Sequence, residues 1–344
     1  MPMKALDENW IDAFVRVFEL CKLRRDERVI VLSESASRPV NVQLAELALA
    51  RMKARFFHIR LPSPKPEPGP IIRSSGASLA LTGQDEAVRA LAASDFIVDL
   101  TVEGLMHARE TGAILKGGAR IMNISNEHPE ALARLVPQED MKQTVREAVA
   151  LCRAAETMTV RSDAETDLSV AMTGASTVGI WGWTDRAGTL AHWPAGIVVS
   201  FPTAGSVNGR LVFKPGDMNL TFKRYFESEV VFTLRDDYVS EVGGTGADAR
   251  LMRTYLEAFA DRNAYATSHV GWGLNPAARY EALAMYDKAD TNGTELRAMA
   301  GNFLYSTGAN EFAGRFTRGH FDLPMMDCTI ALDGRAVVEN GHLA

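Results

Sequence analysis

Residues 96–124, FIVDLTVEGLMHARETGAILKGGARIMNI, decide the fold class of the first half of this chain. Phe96 to Leu100 and Arg120 to Ile124 are short, nearly continuous apolar runs, the pattern of strands buried on both faces. Residues 105–116 between them read as a helix. Strand, helix and strand in that order make a crossover unit with parallel pairing. The alternation continues outward. Residues 9–22 place Trp10, Phe14, Val17 and Phe18 near helical spacing, and Arg28 to Leu32 reads as a strand. Residues 39–53 read as a helix after Pro39, Ala54 to Leu61 as a strand and residues 84–93 as a helix. Residues 129–153 are expected to be largely helical. The first half, residues 1–153, is therefore expected to be an α/β domain with an open parallel sheet covered on both faces. Between residues 62 and 70, Pro62, Pro64, Pro66, Pro68 and Pro70 predict an extended surface loop.

Such sheets often bind nucleotides, but no G-x-G-x-x-G or Walker A pattern follows any of these strands. The turn after the first strand, Ser33-Glu34-Ser35-Ala36-Ser37-Arg38, has no glycine. A scaffold or oligomerisation role is favoured over dinucleotide binding. Residues 154–344 differ in texture. Met158 to Arg161, Gly196 to Phe201, Leu211 to Phe213 and Glu229 to Leu234 are β-branched and alternating, with a turn expected at Ser206-Val207-Asn208-Gly209. Helices are expected near 247–260 and 277–286. This half reads as an α+β domain with much antiparallel pairing.

Composition removes several function classes. The 344 residues are 47% hydrophobic and 23% charged, an ordinary globular balance with length for about two domains. A formal net charge of −6, without a Lys/Arg-rich block, argues against nucleic acid as the main partner. Cys21, Cys152 and Cys328 form no C-x-x-C pair, which argues against a thiolate zinc site or a disulfide framework. The first two fall in helical apolar patterns, and all three are expected to be core. Met1 to Glu8 shows no apolar secretory core. The longest apolar stretch, around Trp193 to Phe201, is about half of the ~20 residues that a spanning helix needs. The expectation is a cytoplasmic protein with no membrane partner. No G-x-S-x-G appears, so a nucleophile elbow is not supported.

A metal, if bound, must be held by histidine and carboxylate. In Gly319-His320-Phe321-Asp322-Leu323-Pro324, extended residues i and i+2 share a face, so His320 and Asp322 would aim at one point. With this composition about one such His-x-acid pair arises by chance, and His128-Pro129-Glu130 is a second instance. A metal half-site and a plain hydrogen-bonded histidine both remain open. In Ser268-His269-Val270-Gly271-Trp272-Gly273-Leu274-Asn275-Pro276, His269 is placed at the end of a strand, entering a loop with two glycines before a helix. A site-forming strand end and a structural turn with a capping histidine are both open. Together His269, His320 and Asp322 would make the two-His, one-carboxylate set of non-haem Fe(II) oxygenases, which leaves positions open. A closed structural zinc site would need a fourth ligand.

His107, just beyond the strand ending at Leu100, lies where open α/β sheets gather ligands. His192 is expected in a loop before a strand. Either fits a proton shuttle, with a surface histidine as the plain alternative. His58 and His342 read as structural or idle. Trp181, Trp183, Trp193 and Trp272 could wall a pocket or fill a core.

The order Ala191-His192-Trp193-Pro194, Ser268 to Leu274, Gly301-Asn302-Phe303-Leu304-Tyr305-Ser306-Thr307-Gly308 and His320-Phe321-Asp322 resembles the 2,5-dihydroxypyridine 5,6-dioxygenases of bacterial nicotinate and pyridine catabolism. The similarity runs through most of the chain, including Leu132 to Pro137. The resemblance implies a Rossmann-like N-terminal domain and an α+β catalytic domain, related to aminopeptidase T. It implies Fe(II) on His269, His320 and Asp322, with His107 and His192 acting on substrate and protons and Ser306 lining the site. It further implies a small hydroxylated aromatic or N-heterocyclic substrate, O₂ as co-substrate, C5–C6 cleavage to N-formylmaleamate, and a homo-oligomer. Two other functions are carried as alternatives: a metal-dependent aminopeptidase and a non-catalytic small-molecule-binding relative. The peptidase needs extra carboxylates for a second metal. Pro194 is followed by Ala195, Gly196 and Ile197 instead, and only Glu241 and Asp248 lie near Gly243 to Gly246. One departure from the dioxygenases is Ile180, where an acidic residue is expected. It raises the prospect of a different ring.

Overall fold

The computed structural model describes residues 6–65, 69–73 and 75–344. Pro66 and Pro68 of the proline loop, and Met1 to Ala5, lie outside the described residues. The parallel sheet expected from residues 96–124 is present. Its strands run in the order Arg55–Leu61, Arg28–Glu34, Phe96–Asp99, Arg120–Ile124 and Leu190–Trp193, all parallel. Its inner strands are apolar on both faces because helices cover both. On one face, Phe14, Val17 and Phe18 of helix Glu8–Leu20 and Leu44, Ala48 and Leu49 of helix Pro39–Arg51 meet Val29, Val31, Phe96 and Val98. On the other, Leu91 and Ile114 meet Ile30, Leu32, Ile97 and Ile121.

The fifth strand corrects two expectations. Leu190–Trp193 lies beyond the boundary at 153/154 yet pairs with Arg120–Ile124. His192 is therefore in a strand of the first sheet, not in a loop. In the other direction, Met141, Val145, Ala148 and Cys152 of helix Met141–Ala154 belong to the core of the second half. The chain thus crosses between its halves more than once. The helix expected over 105–116 begins only at Thr111. Residues 100–110 instead form a loop that the buried Asp99 carboxylate organises. It accepts from Thr101 N (3.0 Å), Thr101 Oγ1 (2.7 Å), Leu105 N (2.8 Å) and Asn123 Nδ2 (2.8 Å).

The second half contains an eight-stranded antiparallel sheet, ordered Tyr238–Gly243, Val230–Arg235, Val207–Phe213, Asp167–Ala171, Thr157–Arg161, Thr329–Leu332, Arg335–Glu339 and His342–Leu343. A five-stranded antiparallel sheet packs on it, ordered Phe321–Met325, Phe303–Thr307, Thr267–Gly273, Ile197–Phe201 and Ser176–Ile180. Alternation separates the two faces of this smaller sheet. Val198, Val270, Trp272, Phe303, Tyr305, Phe321, Leu323 and Met325 join the core shared with the large sheet. The residues of opposite parity, among them Ile197, Val199, Phe201, His269, Leu304, Ser306 and Asp322, face the other way.

Three local expectations fail. Ser206-Val207-Asn208-Gly209 is not a hairpin turn: Gly209 lies within strand Val207–Phe213 and pairs with both Leu168 and Leu234. His269 is not at a strand end, because strand Thr267–Gly273 contains it and both glycines. Gly271 and Gly273 admit neighbouring backbone: a Cβ there would lie 2.0 Å from the Val198 carbonyl oxygen and 2.1 Å from that of Met299. No helix begins at Asn275-Pro276, and the helix expected over 277–286 shrinks to Ala282–Met285. Among the described residues, no helix is long and apolar enough to cross a membrane.

Candidate metal centre and ligand cavity

His269, His320 and Asp322 converge at the inward face of the smaller sheet. One ligand atom from each lies within 4.8 Å of the others. Asp322 is in strand Phe321–Met325 and opposite Ser306 in register, while His320 immediately precedes that strand. His320 Nε2 is 3.1 Å from Asp322 Oδ2, and His269 Nε2 is 3.8 Å from Oδ1. Thr221 Oγ1 donates to the His320 carbonyl oxygen (3.1 Å), and Phe201 packs edge-on against the His269 ring at 5.3 Å.

Two further residues grip the carboxylate. Ser306 Oγ donates to Oδ1 and Arg297 Nε donates to Oδ2. Burial opposes ionisation of Asp322. Arg297, His320 and His269 outweigh it and hold the carboxyl well below the usual carboxylate range. Burial drives the His269 imidazole down to about 3, against the pull of Asp322, so the ring is neutral and able to ligate. Among the described residues, the buried His269 Nδ1 has no hydrogen-bond partner, so it is not spent on a structural hydrogen bond there. Two imidazoles and one carboxylate, with no thiolate, suit a divalent first-row metal and leave part of its shell open.

The triad borders a cavity of about 300 Å³ between the parallel-sheet domain and the smaller sheet. That volume is at the lower end of small-molecule sites, roughly 300–1,000 Å³. Val178, Ile180, Ile197, Val199, Phe201 and Leu304 form an apolar wall. The carboxyl end of the parallel sheet supplies the polar side: Glu103 and His107 come from the loop after strand Phe96–Asp99, Asn123 from strand Arg120–Ile124 and His192 from the fifth strand. His192 Nδ1 lies 2.6 Å from the Pro194 carbonyl oxygen. A carbonyl only accepts, so Nδ1 carries the proton and Nε2 is left as an acceptor. Burial lowers this imidazole to about 4, so it is neutral at pH 7.

The structure thus brings together His107, His192, His269, His320 and Asp322. Ser306 is fully buried behind the cavity and touches Asp322, so it grips that carboxylate where it was expected to line the site. The four tryptophans belong to cores or pack beside them: Trp183 and Trp193 in the first half, Trp272 in the second, with Trp181 half-buried against both. Trp193 Nε1 donates to the Leu135 carbonyl oxygen (2.8 Å). His128-Pro129-Glu130 is a helix cap, its imidazole accepting from Glu130 N (3.2 Å). His58 bridges Ser33 and Glu46 at 2.6 Å and 2.8 Å. Arg297 and Glu311, which also border the cavity, carry no local sequence signal. Arg297 sits in the five-residue helix Thr294–Ala298, whose start is held by buried Glu127 accepting from Asn292 N, Gly293 N and Thr294 N.

Residues 9–344 match the family model described as NicX: 2,5-dihydroxypyridine 5,6-dioxygenase. A 2,5-dihydroxypyridine 5,6-dioxygenase of Pseudomonas putida KT2440 is 36% identical over 334 residues, covering 96% of this chain and 94% of that protein. The chain belongs to the 2,5-dihydroxypyridine 5,6-dioxygenase family. The solved structure of 2,5-dihydroxypyridine dioxygenase from Pseudomonas putida KT2440 superposes with a TM-score of 0.92 at 35% identity, covering 98% of each chain. Wild-type AmpT from Thermus thermophilus shares the fold, with a TM-score of 0.64 at 15% identity over 97% of this chain and 100% of that one. For the dioxygenase family member in hand, the carboxylates nearest Gly243 to Gly246 are committed elsewhere. Asp248 accepts from Glu227 N, Ser228 N and Ser228 Oγ, each at 2.9 Å, and Glu241 is exposed on its strand. Among the described residues, one group of metal-capable side chains is present.

Proposed function

We propose that this chain is an Fe(II)-dependent ring-cleaving dioxygenase that opens 2,5-dihydroxypyridine, or a closely related hydroxylated aromatic ring, between C5 and C6. N-formylmaleamate is the product from 2,5-dihydroxypyridine. The observation that carries this reading is the convergence of His269, His320 and Asp322 on an enclosed, half-apolar cavity, in a family member matched over nearly its whole length. His269, His320 and Asp322 would hold the metal, which when bound supplies open positions for a ring oxygen and O₂.

The remaining steps belong to this chain's own side chains. The wall of Val178, Ile180, Ile197, Val199, Phe201 and Leu304 takes the ring face and excludes water. Arg297 and Ser306 keep the Asp322 carboxylate ionised and fixed. His192, neutral with Nε2 as acceptor, and His107 both border the cavity from the parallel-sheet side and are able to take a hydroxyl proton from the substrate. Ile180 offers the ring an apolar contact where an acid would offer charge, so recognition at that point rests on shape. The buried free cysteines Cys21, Cys152 and Cys328 support a reducing cytoplasmic setting, and a homo-oligomer remains part of the proposal.

The test is anaerobic reconstitution with Fe(II), followed by addition of O₂ and 2,5-dihydroxypyridine. The expected result is loss of substrate absorbance with stoichiometric O₂ uptake, abolished by His320→Ala. Peptide hydrolysis with Zn²⁺ or Co²⁺ and no O₂ uptake would overturn the proposal in favour of an aminopeptidase. Failure to retain stoichiometric metal would overturn it in favour of a binding protein. Light scattering in solution tests the oligomer.

A further inference from the structure

His107 and Glu311 face each other across the cleft between the two halves, and both border the cavity. His107 comes from the loop that follows strand Phe96–Asp99. Its backbone is fixed on its own side: His107 N donates to the Gly76 carbonyl oxygen (2.6 Å), and Asp99 holds Leu105. Its ring lies against bare Gly76, where a Cβ would come within 3.2 Å of His107 Cδ2. On the other side of the cleft, His107 Nδ1 lies 3.6 Å from Glu311 Oε1.

Glu311 is presented by a pinned turn. It opens the single turn Glu311–Ala313, capped by Asn310, whose side chain accepts from Ala313 N (3.1 Å). Asn310 is fully buried, and its Nδ2 donates to the Pro202 carbonyl oxygen (2.9 Å). Asn310 also exchanges backbone hydrogen bonds with Arg315, which is ion-paired to buried Asp237. The Glu311 carboxyl is held below its ordinary range, by the contact with His107 first and against partial burial.

We propose that Glu311 is a positioning residue that sets the tautomer and aim of His107 from the opposite half of the protein. This rests on the reading of His107 as a proton-handling group. A carboxylate only accepts, so the imidazole facing it must carry its proton on Nδ1, leaving Nε2 as the basic nitrogen. At 3.6 Å the pair is within ion-pair range and longer than a hydrogen bond, as base–orienter pairs often are before substrate binds. Because the partners come from different halves, the pair is complete only when the cleft is closed to this width.

The test compares Glu311→Ala and Glu311→Gln with the wild-type chain in two readouts. In ¹⁵N-histidine-labelled, metal-free protein, with the His107 signal assigned by its loss in His107→Asn, the wild type and Glu311→Gln should show the Nδ1–H form. Glu311→Ala should lose that preference. With Fe(II) and 2,5-dihydroxypyridine, Glu311→Ala should lower kcat about 10–100-fold with little change in KM, the size of effect of an orienting partner. Glu311→Gln, whose amide oxygen still accepts from Nδ1–H, should recover most of kcat. An Nε2–H form in the wild type, wild-type kinetics in Glu311→Ala, or a Glu311→Gln variant as impaired as Glu311→Ala would each overturn the proposal. If the wild type does not consume 2,5-dihydroxypyridine, the dioxygenase proposal fails, and the tautomer measurement alone decides on the pairing.

Discussion

Removal of the Ser306 hydroxyl separates gripping of Asp322, the proposed metal ligand, from ligation itself. Ser306 is buried, faces Asp322 in register and donates to Oδ1, the same oxygen that lies 3.8 Å from His269 Nε2. Arg297 occupies Oδ2. In Ser306→Ala one oxygen atom disappears from a strand that alanine also accommodates, so the sheet persists. Asp322 keeps Arg297 and His320 but loses the contact that fixes the rotation of its carboxylate. Loss of such an outer partner costs about 10–100-fold in metal affinity, or about 1.4–2.8 kcal/mol. Loss of a hydrogen bond to a charged acceptor, about 1.5–3 kcal/mol, gives the same scale for folding stability of the metal-free chain. Anaerobic Fe(II) titration against a competing chelator should show that weakening, with Asp322→Ala losing binding altogether. Urea unfolding monitored by circular dichroism checks stability separately. Metal affinity within about twofold of wild type in a folded Ser306→Ala chain would refute the reasoning.

Gly271→Ala places a Cβ 2.0 Å from the Val198 carbonyl oxygen and 2.8 Å from Val199 Cα, both backbone atoms of the adjacent strand. It should destabilise the fold by more than about 3 kcal/mol, read from the shift in urea midpoint. Burial lowers the His192 imidazole from 6.5 to about 4 in the folded chain, so below pH 6.5 the unfolded chain binds the extra proton. The contribution from neutral His192 is complete above pH 6.5 and lost as pH falls through about 4, on the order of 3 kcal/mol. His192→Gln should flatten the stability loss between pH 7 and pH 4 by that amount, and parallel curves would contradict it. Ile180→Glu puts a carboxylate into the apolar wall facing the ring. It should raise kcat/KM for 2,5-dihydroxypyridine relative to hydroquinone, its carbocyclic counterpart, by about tenfold or more, the worth of one charged hydrogen bond. An unchanged ratio would remove Ile180 from substrate recognition.

The parallel sheet was legible because its strands are buried on both faces, so apolar runs such as Phe96 to Leu100 mark them without ambiguity. The His320-x-Asp322 pair was legible for a related reason, since extended backbone puts i and i+2 on one face. Residues 105–110, part of the loop, were misread as the start of the helix that begins at Thr111. The signal that overrides it, the Asp99 carboxylate collecting two backbone N–H groups, is invisible without coordinates. Gly271 and Gly273 were read as part of a loop that His269 enters. They make room for the neighbouring strand and the Ala298–Met299 backbone, which chain order cannot reveal.

By itself the sequence determined the two kinds of architecture, the family, and the residue types available for a metal centre, because periodicity and local motifs are properties of neighbouring residues. Only the tertiary structure decided that Leu190–Trp193 returns to the first sheet, and that Ser306 and Arg297 grip Asp322. It also decided that tryptophans fill cores while Ile180 meets the cavity, and that Glu311 reaches His107. Each of these is a meeting of segments distant along the chain. Such meetings are selected by burial and hydrogen bonding over the whole fold, and no local pattern encodes them.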